Sequence, residues 1–289
     1  MRDKTFDTLR EMAYRQCGIV LSPQKKLMLA SRLRRRMAEL ELSTFEDYLA
    51  RLTNDESGEE TRHLVNAIAT HHTFFFREPE PIQFVADEVV RRVQQGQQRI
   101  RIWSTACSSG EEPFTLAMML NDRLSELGYD DLDLKILATD LSTRILATAE
   151  KATYTSARIH SLPEQCLRRH FQRVDGGSEP TWQLSDTIRN MVVFRKLNLV
   201  DATYPVRGPF DAILCRNVMI YFDDRTRRHV ISRLEHVLRS GGLLVVGMTE
   251  TALGFSRRLT FERPAVYRNS SANPAVSSPA ECVSEGASA

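Results

Sequence analysis

The stretch Ile100-Arg101-Ile102-Trp103-Ser104-Thr105-Ala106-Cys107-Ser108-Ser109-Gly110-Glu111-Glu112-Pro113 decides the architecture. An apolar, strand-like run ends in a turn of small side chains, and a helix is expected to start at the proline. Strand, small-residue turn and helix in that order build the first ligand-facing loop of a Rossmann-type sheet. The dinucleotide spacing Gly-x-Gly-x-x-Gly is absent. Glu111 and Glu112 stand there instead, and at a helix N-terminus they oppose the approach of a pyrophosphate. A ligand carrying positive charge suits such a site better. S-adenosylmethionine, with a sulfonium, an ammonium, an adenosine and no phosphate, meets that requirement and points to a methyltransferase.

Downstream, strands and helices alternate. Strands are expected at residues 100–103, 132–138, 192–197, 210–215 and 243–247, with one or two antiparallel strands within 259–267. Helices fall at 114–127, from a Ser142 cap to Lys151, and at 223–239, the last ending on Gly241-Gly242. The pattern implies an α/β fold whose parallel sheet is covered on both faces. Residues 154–190 are too long for a structureless connection and read as a hairpin-bearing insert. A helix over 163–171 and a turn at Asp175-Gly176-Gly177, between 171–174 and 181–184, supply its parts.

Upstream, the first seventy or so residues read as helical. Ser22-Pro23 starts a helix whose Leu27, Ala30, Leu33, Met37 and Leu40 form one apolar stripe. Ser43 to Glu46 has capping-box spacing and opens the next helix. Leu64, Val65 and Ile68 mark another that runs out near His71. From Asn269 onward the chain is rich in Ser, Ala, Pro and Glu and is expected to be a disordered tail.

With 39 Lys and Arg against 37 Asp and Glu, the net charge is +2, so no bulk polyanion is implied and a basic patch must be local. No apolar run approaches the ~20 residues that span a membrane, and the N-terminus has no signal-peptide core. The five cysteines are scattered without Cys-x-x-Cys and suit free thiols in a reducing cytoplasm.

Asp140 follows the second strand, where an acid in an open α/β sheet holds ribose hydroxyls; a plain turn aspartate is the alternative. Asn198-Leu199 and Arg216-Asn217 follow the third and fourth strands at the same sheet edge, although asparagines there also serve turn backbone. Tyr221 either faces an incoming substrate or packs against the sheet edge. Arg77, after Phe74-Phe75-Phe76, is suited to a ligand carboxylate or to a local acid, and the phenylalanines to interdomain packing. His71 and His72 diverge by about 100° on a helix, so no metal site is expected. Residues 25–36 hold six basic residues and no acidic one, with Lys25, Arg32 and Arg36 on one face and Arg35 beside them. They form either a solvated face or a dock for an acidic partner.

Taken together, these stretches resemble the bacterial chemoreceptor glutamate methyltransferases, the CheR family, along nearly all of residues 1–268. The carriers are Thr73-Phe-Phe-Phe-Arg-Glu-Pro79, Trp103 through Pro113, Ala138-Thr-Asp140, Leu197-Asn-Leu199 and Phe210-Asp-Ala-Ile-Leu-Cys-Arg-Asn-Val-Met-Ile-Tyr-Phe222. The resemblance implies a class I (Rossmann-like) methyltransferase sheet, an N-terminal helical domain and a small inserted antiparallel β subdomain. The domains are then 1–72 for receptor docking, 73–268 for methyl transfer with the insert at about 154–190, and a tail at 269–289. It further implies an S-adenosylmethionine pocket lined by Thr73, Arg77, Glu111, Asp140, Asn198, Leu199, Arg216 and Asn217. His71 stands where the family commonly has asparagine. Of the glutamate pair, Glu111 is the expected contact and Glu112 is unassigned. Lys25, Arg32, Arg35 and Arg36 would meet the acidic helical signalling domain of a chemoreceptor, and the β subdomain would take a receptor C-terminal peptide in some members.

The implied reaction forms glutamyl methyl esters and S-adenosylhomocysteine. A glutamate with a pKa of about 4.3 is already ionised at neutral pH, so no general base is expected, and Tyr221 and Arg216 would position the acceptor. The enzyme is then expected to be a cytoplasmic monomer recruited to membrane receptor clusters, without membrane insertion or nucleic-acid binding. A nucleic-acid methyltransferase and a non-catalytic S-adenosylmethionine sensor are the alternatives.

Overall fold

The computed structural model describes residues 1–174 and 180–270. Four helices come first: α1 (Asp3–Cys17), α2 (Lys26–Glu39), α3 (Phe45–Thr53) and α4 (Glu59–Ile68). They close over a core that includes Leu9, Leu29, Leu33, Tyr48 and Leu64. The apolar stripe of α2 differs from expectation. At 100° per residue, Leu29, Ala30, Leu33 and Met37 share an arc, and Leu27 falls outside it and is 82% exposed. The capping box of α3 sits one residue later than expected. Thr44 Oγ1 accepts from Asp47 N at 3.1 Å and Asp47 Oδ2 accepts from Thr44 N at 3.2 Å. That frees Glu46 to accept from Thr5 Oγ1 at 2.8 Å, joining α3 to α1.

A helix absent from the sequence reading follows, α5 (Pro79–Gln94). Proline at its first position suits a helix start, and it buries Ile82, Val85, Val89 and Val93 against the sheet layer. Then come β1 (Arg99–Ser104), α6 (Glu111–Glu126), β2 (Asp133–Asp140) and α7 (Thr143–Lys151). Ser142 caps α7, its Oγ accepting from Ile145 N at 3.3 Å. The insert holds β3 (Thr153–Thr155), α8 (Ser156–Ile159), α9 (Glu164–His170), β4 (Phe171–Val174), β5 (Thr181–Leu184) and α10 (Asp186–Met191). β3, β5 and β4 make a separate antiparallel sheet; the Asp175-Gly176-Gly177 turn lies outside the described residues. Last are β6 (Val192–Lys196), β7 (Phe210–Cys215), α11 (Asp224–Val237), β8 (Leu238–Val246), β9 (Leu259–Arg263) and β10 (Val266–Asn269).

The main sheet has the order β6-β2-β1-β7-β8-β10-β9. The first five are parallel, and β10 runs antiparallel between β8 and β9. This is the α/β methyltransferase-type sheet expected, with its switch point between β1 and β7, where ligands bind beyond the carboxyl ends.

Two expectations near the C-terminus are corrected. α11 ends at Val237, and Gly241-Gly242 lie inside β8. Gly241 has φ +70 and the register slips between Phe210 and Ala212, so the glycines serve an irregular strand rather than a helix stop. Asn269, read as the first tail residue, belongs to β10, and its Nδ2 donates to Leu238 O at 3.0 Å. Residues 271–289 lie outside the described residues.

Gly18 caps α1 in a left-handed conformation, φ +69, where the bundle meets the sheet layer. A Cβ added there would lie 2.6 Å from Val200 Cγ1 and 2.9 Å from Thr226 Cγ2. Gly18→Ala is therefore expected to lower unfolding free energy by ~1–3 kcal/mol through overpacking. Urea denaturation checks this, and a wild-type midpoint would show that the contact yields without cost.

Candidate active site

The carboxyl ends of β1, β2, β6 and β7 open on one cavity. Cys17 and Ile19, from the segment leaving α1, close one side, and residues 69–73 with Arg77 close another. His71, Thr73, Arg77, Asp140, Asn198, Leu199, Arg216, Asn217 and Tyr221 all line it, as does Glu112. Glu111 does not. Nothing in local sequence marks Cys17 and Ile19, which arrive from a different layer.

Asp140 ends β2 and is buried. Its Oδ2 accepts from Ser108 N at 2.9 Å and its Oδ1 from Ser142 N at 3.0 Å. Burial pushes its carboxyl above the usual range, although these N–H groups and nearby His71 pull the other way. Burial likewise lowers the His71 imidazole, opposed by Asp140. Each Asp140 oxygen keeps a lone pair for a further donor. On the same cavity wall, His71 Nε2, Ser108 Oγ and Arg216 Nε are buried polar atoms without a hydrogen-bond partner among the described residues. Buried polar groups are normally paired, and this concentration marks a binding site.

The glutamate pair departs from expectation in three ways. α6 begins at Glu111 rather than Pro113, with Gly110 at φ +94 as its N-cap. Glu111 is 0% exposed, accepts from Ser109 Oγ at 2.7 Å and pairs with Arg158 of the insert. Glu112 is the member that reaches the cavity, where it takes Ser104 Oγ at 2.7 Å and Arg216 Nη1 at 2.9 Å. Both carboxylates are thus compensated and present little free negative charge to a ligand.

Arg216 was expected to position an acceptor. Its side chain is 1% exposed, and Nη2 donates to Glu78 Oε2 at 3.0 Å and to Arg77 O at 2.9 Å. With both terminal nitrogens committed, it holds the wall together, and Nε alone remains. Glu78 and Glu250, neither singled out by sequence, complete this framework. Glu78 also accepts from Met248 N at 3.0 Å and Asn217 Nδ2 at 3.3 Å. Glu250 Oε2 accepts from Asn217 N at 2.8 Å and Gly247 N at 2.6 Å. A Cβ on Gly247 would lie 2.6 Å from Asn217 Nδ2, so only glycine fits. Motif position beside Arg77 was the available signal for Glu78.

The remaining side chains divide between wall and clamp. Asn198 Nδ2 donates to Gln16 O at 2.8 Å, and Val20 N donates to Tyr221 O at 2.8 Å, so the last turn of α1 and the segment after it are both held at the cavity. The Tyr221 hydroxyl has no hydrogen-bond partner among the described residues. Arg77 donates to His72 O at 2.7 Å with its guanidinium 6.0 Å above Phe74.

The expected docking face is only partly a face. Arg32 Nη1 donates to the carbonyls of Ala67 and Ala69 at 3.0 and 3.1 Å, capping the end of α4. Arg36 pairs with buried Glu60. Both therefore bind the bundle together, because the C-terminal carbonyls and the acidic start of α4 lie across from α2. Lys25, in a 3-10 turn before α2, Arg32, Arg34 and Arg35 are exposed, and Arg35 pairs with Glu39 at 3.2 Å.

Two family descriptions match the chain: "CheR methyltransferase, all-alpha domain" over residues 4–69 and "CheR methyltransferase, SAM binding domain" over residues 71–266. The chemotaxis protein methyltransferase of Escherichia coli (strain K12) is 36% identical over 267 residues, covering 92% of this chain and 91% of that protein. That of Borreliella burgdorferi is 34% identical over 265 residues, covering 90% and 92%. Chemotaxis protein methyltransferase 2 of Pseudomonas aeruginosa is 36% identical over 262 residues, covering 91% of each.

The Glu78 carboxyl works against burial, yet Met248 N–H, Arg216 and Asn217 hold it below the usual range. A carboxylate so lowered contributes stability in full above its unfolded pKa of about 4.3, lost as pH falls through the folded value. Glu78→Gln is expected to destabilise the protein at pH 7 and much less under acid conditions. Equal loss at both pH values, measured by urea unfolding, would mean that shape rather than charge at Glu78 matters.

Proposed function

The chain belongs to the CheR methyltransferase family, and we propose that the cavity binds S-adenosylmethionine and passes its methyl group to glutamate side chains of chemoreceptors. The chain is an S-adenosylmethionine-dependent methyltransferase of the chemotaxis type. The observation that carries the site assignment is Asp140: a buried carboxylate at a strand's end, in no ion pair among the described residues, on a cavity wall that also holds buried polar atoms without partners among them. That donor and acceptor set fits a ribose diol with a polar amino-acid end beside it.

When bound, S-adenosylmethionine supplies an electrophilic methyl carbon on a sulfonium. The spare lone pairs of Asp140 would accept from the ribose hydroxyls. His71 Nε2, Ser108 Oγ and Arg216 Nε offer the remaining polar contacts, while Ile19, Leu199, Val218 and Phe222 exclude water. Thr73, Arg77, Asn198 and Asn217 shape the rest of the wall. An acceptor glutamate would arrive ionised, so the protein need only align it. Tyr221, with an unengaged hydroxyl on the wall, is the residue for that alignment; Arg216 acts by fixing Glu78 and Glu112.

Lys25 and Arg35 on the bundle, units 1–72 and 73–268 acting together, and the β3-β5-β4 sheet form the receptor-facing parts in this reading. The sheet leaves β3 and β4 as edges to which an extended receptor C-terminal peptide can add. Work as a cytoplasmic monomer recruited to receptor clusters belongs to the same proposal. Among the described residues no helix is long and apolar enough to cross a membrane.

Incubation with labelled S-adenosylmethionine and receptor-containing membranes is expected to place base-labile label on the receptor. Label on nucleic acid alone, or none with competent receptors, would sink the reading in favour of a nucleic-acid methyltransferase or a sensor. Asp140→Ala is expected to weaken S-adenosylhomocysteine binding by ~1–3 kcal/mol, the scale for losing a partner of buried polar groups. Unchanged affinity by calorimetry would remove Asp140 from the site.

A further inference from the structure

We propose that the groove along the outer face of α11 is a second recognition surface, built to take an acidic α-helix of a protein partner. Arg225, Arg228, His229, Arg233 and His236 line it from α11, and Arg258 from the loop before β9. Glu235 is the one carboxylate on its wall. The groove shares no lining residue with the cofactor cavity and does not depend on the methyl-transfer reading.

Charge in this groove is less compensated than at the arginines that tie the fold together. The molecule is nearly neutral overall, and Arg36, Arg92, Arg101 and Arg216 each lie beside a carboxylate. On α11 only Arg227 does, at 3.4 Å from Asp224. Among the described residues Arg225, Arg228, Arg233 and Arg258 have no carboxylate within ion-pair distance. Like charges gathered on one helix face repel each other, and an incoming anionic partner removes that cost.

The groove's cations are also held in place. The Arg228 guanidinium lies 5.4 Å over the Phe255 ring, and its Nη1 donates to Gly254 O at 3.3 Å. That of Arg233 lies 5.8 Å over Tyr204, and its Nε donates to His229 Nε2 at 2.7 Å. Such preorganisation lowers the ordering cost of binding.

Spacing selects the occupant. The arginines that line the groove from α11, Arg225, Arg228 and Arg233, stand three and five residues apart, so their charges are offset by about 4.5 and 12 Å from Arg225 along the helix axis. A helix laid alongside carries carboxylates at the same offsets. An extended chain repeats same-side groups every ~6.6–6.8 Å and falls out of register. Single-stranded nucleic acid needs open rings for stacking, and Tyr204 is covered by Arg233.

The test is fluorescence anisotropy of a labelled, alanine-based helical peptide with glutamate at every fourth position, titrated with the full chain at low and raised salt. Wild type and an Arg225→Lys, Arg228→Lys, Arg258→Lys variant are expected to bind, more weakly as salt rises. Arg225→Glu, Arg228→Glu, Arg258→Glu is expected to bind about tenfold or more weakly, with S-adenosylhomocysteine affinity equal in all three proteins. Equal peptide binding by the glutamate variant overturns the proposal. So does an arginine-dependent association with phosphatidylglycerol vesicles or single-stranded RNA in place of the peptide.

Discussion

A single buried guanidinium holds the floor of the cavity. Arg216, at the end of β7, divides its terminal nitrogens between Glu112 on α6 and Glu78 at the start of α5. Removing a charged pair from water is costly, and removing only one partner is worse, because it strands the other charge. The arrangement is therefore weak evidence for added stability and strong evidence for a fixed geometry. Glu78 extends it, since Met248 N and Asn217 Nδ2 donate to the same carboxylate. Four chain segments that are far apart in sequence, at Glu78, Glu112, Arg216-Asn217 and Met248, are thereby tied at the sheet's switch point.

The helical bundle and the insert reach that floor from opposite sides. From the bundle, Tyr14 donates to Asp223 Oδ2 at 2.7 Å and Gln16 O accepts from Asn198. From the insert, Tyr154 donates to Ser109 O at 2.8 Å, while Arg158 pairs with Glu111. The Tyr154 ring meets Phe75 at 4.8 Å, so the middle of the three phenylalanines is packing. The loop between β1 and α6 is clamped from one side and the rim beyond β6 from the other. What looks like an appended bundle is part of the cavity wall.

The parallel sheet was legible because its strands are short apolar runs bounded by turns, and its strand ends put Asp140, Asn198 and Asn217 at one edge. Partnership was not. Glu78 and Met248 are neighbours only after the sheet has formed, and no spacing announces Glu250 or Ile19. A basic run could be counted, yet Arg32 and Arg36 face helix α4, which sequence alone does not place opposite α2. Gly241-Gly242 fits a helix stop and an irregular strand equally well until Leu238 pairs with Phe210. Helix α5, between the phenylalanine run and β1, is equally readable, with proline at its start and a regular apolar stripe.

The glutamate pair shows how a sound conclusion can need a different reason. Two carboxylates at a helix start seemed to favour a cation by their charge, but Arg158 and Arg216 compensate both. The case against phosphate lies in the backbone. A helix start binds anions through its free N–H groups; here Gly110 N is bonded to Cys107 O, Phe114 N to Gly110 O, and Pro113 has none. Only the N–H groups of Glu111 and Glu112 remain. The cavity's uncompensated carboxylate is instead Asp140, whose spare lone pairs ask for hydroxyl donors. A ligand with a ribose diol and no phosphate satisfies both conditions, and it does so without any contribution from Glu111.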